Sequence, residues 1–287
     1  MEAASSGRTR EYYFNDGGRQ MRVLGESVRA RYLEILGRAA APPPELFRAE
    51  AEAWPDTLDG LPLLFPRDGY QGGYIKEIAA SIVEREGEGW LEEPGEGRFR
   101  EEAEARIFAD IRRILDRLGV HFDVYYNERS LYDSGRIEEV LADLRATGLV
   151  EDSEGATWLR ATRLDLKRDR VLVKRTGEPT YILPDNAYHR DKFRRGFDAV
   201  IDVMGADHVD QIPFVRAAMG LLGLDPSRVE LVMHQFVTVS SGGRSVKQST
   251  RAATFVAMDE VLSEVGRDVF RLFMIQRKPE AHLDFDP

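Results

Sequence analysis

The chain has 287 residues, 43% of them hydrophobic and 31% charged, with a net charge of −10 and no cysteine. This is the composition of a globular protein with enough chain for one large domain or two ordinary ones. It excludes disulfides and thiolate metal sites, contains no apolar run long enough to cross a bilayer as a helix, and argues against indiscriminate binding to nucleic acid, DNA included. No secretory signal pattern opens the sequence, so a cytoplasmic protein is expected. The five histidines, His121, His189, His208, His234 and His282, fall at spacings that suit no metal.

In chain order, Glu11-Tyr12-Tyr13-Phe14 reads as a short strand, closed by the turn-forming Asn15-Asp16-Gly17-Gly18. From 19 to 37, Met21, Leu24, Val28, Tyr32, Ile35 and Leu36 keep close to a 3.6-residue period and predict a helix. Pro42-Pro43-Pro44 breaks the chain, and residues to about 66 read as an irregular insertion or linker. Helices are expected over 74–85, over 99–118 (Ile107, Ile111, Ile114, Leu115 and Leu118 in one stripe, stopped by Gly119) and over 137–144, with a strand at 122–126. Residues 170–174 and 180–183 flank Thr176-Gly177-Glu178-Pro179 and read as a β-hairpin. Apolar strands at 199–204 and 229–237 enclose a helix at 214–222, the pattern of a right-handed parallel βαβ unit. Ligands in such sheets sit beyond the carboxyl ends of the strands, which points to 205–208 and the loop after Val239. A last helix is expected over 268–277.

Three stretches could carry chemistry. Residues 239–266 open as a polar, Gly-rich loop bearing Arg244, Lys247 and Arg251, then become an amphipathic helix with Val261, Leu262 and Val265 on its apolar side. Such a loop can wrap a polyphosphate, because glycines let the backbone approach and cations neutralise oxygens; composition alone favours a solvated surface loop. Asp185 follows an apolar stretch and could take a guanidinium through a bidentate, charge-assisted pair. Standing just ahead of a helix, it would equally serve as an N-cap. His208, in Gly205-Ala206-Asp207-His208, is by itself more often a structural histidine than a catalyst.

Taken together these segments resemble the arginyl-tRNA synthetases, a family of class I aminoacyl-tRNA synthetases. Lys247-Gln248-Ser249-Thr250-Arg251 is similar to a weakened form of the class's KMSKS signature, and the sequel Phe255-Val256-Ala257-Met258-Asp259-Glu260 is similar to that of the arginyl enzymes. Arg10-Glu11-Tyr12-Tyr13-Phe14-Asn15-Asp16, the Tyr181 to Asp185 spacing before Ala187-Tyr188-His189, and Gly205-Ala206-Asp207-His208 resemble further family motifs in the family's order. The resemblance runs almost end to end, with 42–62 the exception.

The resemblance implies an α/β fold: a Rossmann-like class I catalytic core, incomplete at its N-terminus, over 1–66 and 179–287, with an inserted α+β domain at 67–178. It implies ligation of arginine to tRNA(Arg) with ATP and Mg2+. Tyr181 and Asp185 would select arginine. Gly205, Asp207, His208, Lys247 and Ser249 would lie at ATP, with Lys247 and Arg251 stabilising phosphate charge. No His-x-Gly-His segment occurs, Thr250 stands where a second Lys is common, Gln248 replaces Met, Ala253 replaces Gly, and Val209-Asp210-Gln211 departs from the usual continuation. The chain is therefore expected to make arginyl-adenylate poorly by itself and to lack the family's anticodon-binding domain. Strands 11–14 and 200–204 are each expected to be short of a neighbour, because the family's central strand falls outside the sequence. Two other readings are a catalytically degenerate paralogue that binds arginine, tRNA or a protein, and a different nucleotidyl-transfer enzyme on the same fold.

Overall fold

The structure is a computed structural model, and it describes residues 7–48, 54–241, 244–245 and 256–285. In chain order the main elements are β1 (Glu11–Phe14), α1 (Arg19–Ile35), α2 (Gly73–Glu86), α3 (Arg100–Leu118), β2 (Val124–Asn127), α4 (Arg129–Asp133), α5 (Arg136–Ala146), β3 (Val150–Ser153), β4 (Ala156–Leu159), β5 (Arg170–Val173), α6 (Ile182–Arg194), β6 (Val200–Gly205), α7 (Ile212–Leu221), β7 (Val229–His234), β8 (Val237–Ser241), α8 (Met258–Val265), α9 (Arg267–Ile275) and β9 (Leu283–Phe285). The chain divides into two compact units. One is drawn from Met1–Gly17, Phe122–Thr238 and Phe273–Phe285, the other from Gly18–His121 and Val239–Leu272.

The second unit is helical. The 3.6-residue period of α1 stacks Leu24, Val28 and Tyr32 on one face, where they meet Ile75, Ile78 and Ile82 of α2, with Phe99 and Ala103 closing the core. Gly25 permits the closest approach: a Cβ there would lie 2.1 Å from the carbonyl oxygen of Gly95. The buried Tyr32 hydroxyl donates to the Gly87 carbonyl at 2.7 Å, so its polar end is satisfied inside an apolar core.

The first unit contains two parallel strand pairs. β1 runs parallel to β2, with Glu11 opposite Val124 and Phe14 opposite Asn127. β6 runs parallel to β7, from Val200 opposite Val229 to Gly205 opposite His234, and α7 forms the crossover. Among the described residues β1 pairs only with β2 and β6 only with β7. Strand β2 lies within 67–178, the stretch expected to be an insertion, yet it pairs with β1 from the segment assigned to the core. A separate antiparallel sheet has the order β3-β4-β5. Leu144, Leu159, Leu172, Leu183 and Ala187 meet in a core over which α5, α6 and this sheet pack.

Two local expectations are corrected. Residues 180–183 are not the second arm of a hairpin: Val173 makes one isolated bridge to Pro179, and the chain is already helical at Ile182. Leu183 and Ala187, both buried in the core, follow helical rather than strand spacing, and Pro184 sits in the first turn, where its missing N–H costs nothing. The hairpin lies earlier, as β3 and β4, around Glu154 and Gly155 with φ of 53° and 75°. That pair of positive φ values is the two-residue turn whose twist matches flanking strands. The apolar stretch at 229–237 also breaks: β7 ends at His234 and β8 starts at Val237.

Candidate active site

Strands β1 and β2 are parallel and in register, so the residues that follow them emerge at one edge. Asp16 and Glu128 occupy those positions, and both are buried. Asp16 accepts from Asn127 Nδ2 at 2.6 Å and from the Arg129 N–H at 2.9 Å. Glu128 is 4% exposed, and its Oε2 has no hydrogen-bond partner. Its carboxyl is pushed up to about 7, first by burial and then by the negative charge of Asp185, with Asp16 adding and the Gly17 N–H opposing. Gly17 makes the fit possible: a Cβ there would lie 2.9 Å from the Tyr132 ring and 3.0 Å from Glu128 Oε2.

Asp185 stands on helix α6 and lines a cavity. It stands inside the first turn, not at the cap. The N-cap is Tyr181, whose side chain makes no capping bond, and the Asp185 N–H bonds the Tyr181 carbonyl at 3.0 Å. Capping therefore does not account for its carboxylate. Burial pushes that carboxyl up to about 6; the charges of His189, Lys192 and His208 oppose the rise and that of Asp202 adds to it. Neither Asp185 nor Glu128 forms an ion pair with a described side chain. Tyr181 is 55% exposed, one turn before Asp185.

One turn further along α6 the buried charges are matched. His189 Nδ1 lies 2.7 Å from the Asp185 carbonyl and its Nε2 2.7 Å from Asp202 Oδ2. Lys192 Nζ donates to Asp202 Oδ1 at 2.7 Å. Burial alone would raise the Asp202 carboxyl, but the His189 hydrogen bond and the Lys192 charge outweigh it and hold it down at about 2. Arg195 pairs with Glu11 through both terminal nitrogens, at 2.6 and 2.9 Å, and the Tyr188 hydroxyl donates to the same carboxylate. Glu11 and Tyr13 from β1, Asp185 and His189 from α6, Asp202 from β6, and His208 line one cavity of about 670 Å³.

Gly205 closes β6 and starts the short turn Ala206–His208 at the carboxyl end of the β6–β7 pair. A Cβ at Gly205 would lie 2.5 Å from Asp207 Oδ1, so glycine lets the turn close on itself. The His208 and Asp207 side chains are both exposed, His208 Nε2 lying 3.8 Å from Asp207 Oδ2. The carboxyl ends of parallel strands are where ligands of such sheets sit. Lys247, Ser249 and Arg251 lie outside the described residues. Among those residues no three acidic or histidine side chains group to hold a metal ion. Of the expected positions, the structure thus brings Asp185 and His208 to one cavity and leaves Tyr181 half-exposed one turn before Asp185; Glu128 and Asp16 are buried acids outside the lining of that cavity. Asp16 stands two residues past β1 and Glu128 one residue past β2, and neither position by itself tells a buried acid from an exposed one.

The family model for the catalytic domain of class I (R) tRNA synthetases matches residues 90–280. The chain is 47% identical over 286 residues to arginine–tRNA ligase from Desulfotalea psychrophila, covering 100% of this chain and 48% of that protein. It is 45% identical over 278 residues to the enzyme from Salinibacter ruber, covering 97% and 48%. A solved structure from Campylobacter jejuni assigned as an arginyl-tRNA synthetase superposes with a TM-score of 0.77 at 29% identity, over 96% of this chain and 56% of that one. The Thermus thermophilus arginyl-tRNA synthetase shares the fold, with a TM-score of 0.54 at 16% identity over 97% of this chain and 60% of that one. The chain spans about half the length of the curated relatives it matches. Over that span it belongs to the class I arginyl-tRNA synthetases, within their catalytic domain.

Proposed function

We propose that this chain supplies the amino-acid-selecting part of an arginine–tRNA ligase, which activates arginine with ATP in the cytoplasm and transfers it to tRNA(Arg). The observation that carries the reading is Asp185, a carboxyl group that lines the cavity, is raised by burial and is ion-paired to no described side chain; the buried Glu128, likewise raised, feels its charge. A planar guanidinium offers the fork of donors that two carboxylates can share. Tyr181, at the mouth, would close over the ligand's aliphatic stem or bond its polar end.

The nucleotide side is assigned by resemblance and by the Gly205 cradle. Gly205 would let the backbone approach ATP, with Asp207 and His208 on the same turn. Lys247, Ser249 and Arg251 would hold the phosphates, Lys247 and Arg251 stabilising charge that grows as pyrophosphate leaves. Magnesium, in this reading, arrives with the nucleotide and is not held by a protein cage. Residues 67–178 would form an insertion in the core segments 1–66 and 179–287, except that β2 completes a parallel pair with β1.

Calorimetry with arginine, lysine and citrulline tests the selection. Arginine should bind, and citrulline, which keeps the shape but loses the charge, should not compete. Asp185→Asn should weaken arginine by roughly 1.5–3 kcal/mol, the range for hydrogen bonds to charged groups. Equal affinity of the variant, or equal binding of citrulline, would overturn the assignment.

A further inference from the structure

The matched charges of α6 and β6 end on the backbone of Asp185. Lys192 Nζ donates to Asp202 Oδ1, His189 Nε2 meets Asp202 Oδ2, and His189 Nδ1 meets the Asp185 carbonyl, each at 2.7 Å. The side chains of His189, Lys192 and Asp202 are 9%, 10% and 14% exposed. All three line the same cavity as Asp185. Lys192 alone would balance the charge of Asp202; His189 adds a link from β6 to the residue that the pocket uses. We propose that His189 is a positioning residue: with a proton on both ring nitrogens it clamps the Asp185 backbone to Asp202 and so fixes the carboxyl that takes the guanidinium. This deepens the arginine reading and rests on it.

The partners of the ring decide its protons. A carbonyl oxygen only accepts, so Nδ1 donates to Asp185. The Lys192 ammonium offers donors and no acceptor, and its charge beside Asp202 keeps that group a carboxylate. Nε2 therefore donates as well. A neutral ring has a single N–H and would leave one of these contacts as two facing lone pairs, at a buried place where a lost hydrogen bond is costly. The clamp crosses from helix to strand. Asp202 stands three positions before Gly205 on β6, so the first turn of α6 is tied to the strand that ends in the 205–208 turn. The ring also acts through its charge. Burial raises the Asp185 carboxyl; among the charges, His189 opposes this first, Asp202 adds to it, and Lys192 and His208 oppose it further. From the other elements, Glu128, Tyr13 and Tyr132 feel the charge of Asp185.

Nitrogen-15 NMR of the histidine rings reads the clamp directly, with His189 assigned by substituting the other four histidines in turn. Both of its ring nitrogens should be protonated at about pH 7; one bare ring nitrogen there would overturn the clamp. Calorimetry reads the positioning. His189→Gln removes the charge and cannot donate at both ends, so it should weaken arginine by about tenfold in the parent background. Added to Asp185→Asn it should cost little more, because the clamp acts through Asp185, whereas a general loosening of the fold would weaken binding equally in both backgrounds. Equal losses in both backgrounds, or an unchanged affinity in His189→Gln, would overturn the proposal while leaving the arginine reading intact. If the parent binds no arginine, the arginine reading falls, and the positioning is then read in the empty protein by carbon-13 NMR of aspartate carboxyls. The Asp185 carboxyl, near 6 and assigned by its loss in Asp185→Asn, should titrate higher in His189→Gln than in the parent. An unchanged titration refutes the proposal. If His189→Gln does not fold, the ring spectrum of the parent decides.

Discussion

Three carboxyl groups of the same unit, all subject to burial, fall into two opposite classes. Asp202 on β6 is bonded by Lys192 and His189 and is held at about 2. Asp185 on α6 is raised to about 6 and Glu128 to about 7. Burial acts on all three in the same direction; the difference is who stands opposite. Asp202 has Lys192 and His189 bonded to it, whereas Asp185 lines the cavity with no ion pair to a described side chain and the buried Glu128 feels the charge of Asp185. A matched buried charge is architecture. An unmatched buried carboxyl marks a place that something from outside can complete, which is why Asp185 and not Asp202, which lines the same cavity, is assigned the ligand.

The largest effect expected from this contrast is on stability. Asp202→Ala would leave Lys192 buried without its counter-charge and His189 with only the Asp185 carbonyl. Removing one partner of a buried pair costs about 3–5 kcal/mol, a large part of the roughly 5–15 kcal/mol of a typical domain. Urea unfolding of the variant and the parent measures it. A loss under about 1 kcal/mol would mean that Asp202 is not architecture, and the contrast would collapse.

The second effect is a pair of opposite pH dependences. Asp202 goes from 3.8 unfolded down to about 2 folded, so its contribution is complete above 3.8 and is lost as pH falls through 2. Glu128 goes from 4.5 unfolded up to about 7 folded, so the folded state holds the proton more tightly. Its contribution is complete below 4.5 and is lost as pH rises through 7. Ligand-free stability should therefore climb on going from about pH 8 to 5, on the order of 1–3 kcal/mol. Glu128→Gln should remove most of that slope and leave the acid limb in place. A parent profile that is flat or rising from pH 5 to 8 would contradict an unmatched pocket.

How much of this was legible in the sequence depends on whether the cause was local. The α1 stripe of Leu24, Val28 and Tyr32, and the β6–α7–β7 unit, follow from periodicity, and both formed as read. The β3–β4 hairpin did not announce itself, because Glu151, Asp152 and Ser153 make β3 polar; what holds it is the turn at Glu154 and Gly155 and the buried partner residues of β4. Residues 180–183 read as a strand because Ile182 and Leu183 are apolar beside a turn, and so short a stretch shows no helical period. At the site, Asp185 was legible through its spacing from Tyr181 together with family resemblance. Glu128 was not, since nothing in Asn127-Glu128-Arg129 tells a buried acid from an exposed one. Its burial is made by Gly17, Tyr13 and Tyr132, and Gly17 and Tyr13 lie more than a hundred positions away in sequence.

The smallest effect is the one that locates the centre of the pocket. Tyr181 and Asp185 were assigned to arginine together, yet the structure treats them differently: Asp185 lines the cavity and Tyr181 is 55% exposed at the helix start. A neutral hydrogen bond is worth about 0.5–1.5 kcal/mol net, and an exposed phenol can exchange its bond for one to water. Tyr181→Phe should therefore weaken arginine by no more than roughly the lower half of that range, against the larger loss expected for Asp185→Asn. The aliphatic contact of the ring survives the substitution, so Tyr181→Ala separates packing from the hydroxyl. Both variants should leave the pH dependence of stability unchanged, because Tyr181 does not act on Glu128 or Asp185 among the causes of their shifts. If Tyr181→Phe instead costs as much as Asp185→Asn, the phenol closes over the ligand and becomes buried when arginine binds. Selection would then depend on a closing movement at the start of α6, not on two carboxylates already in place.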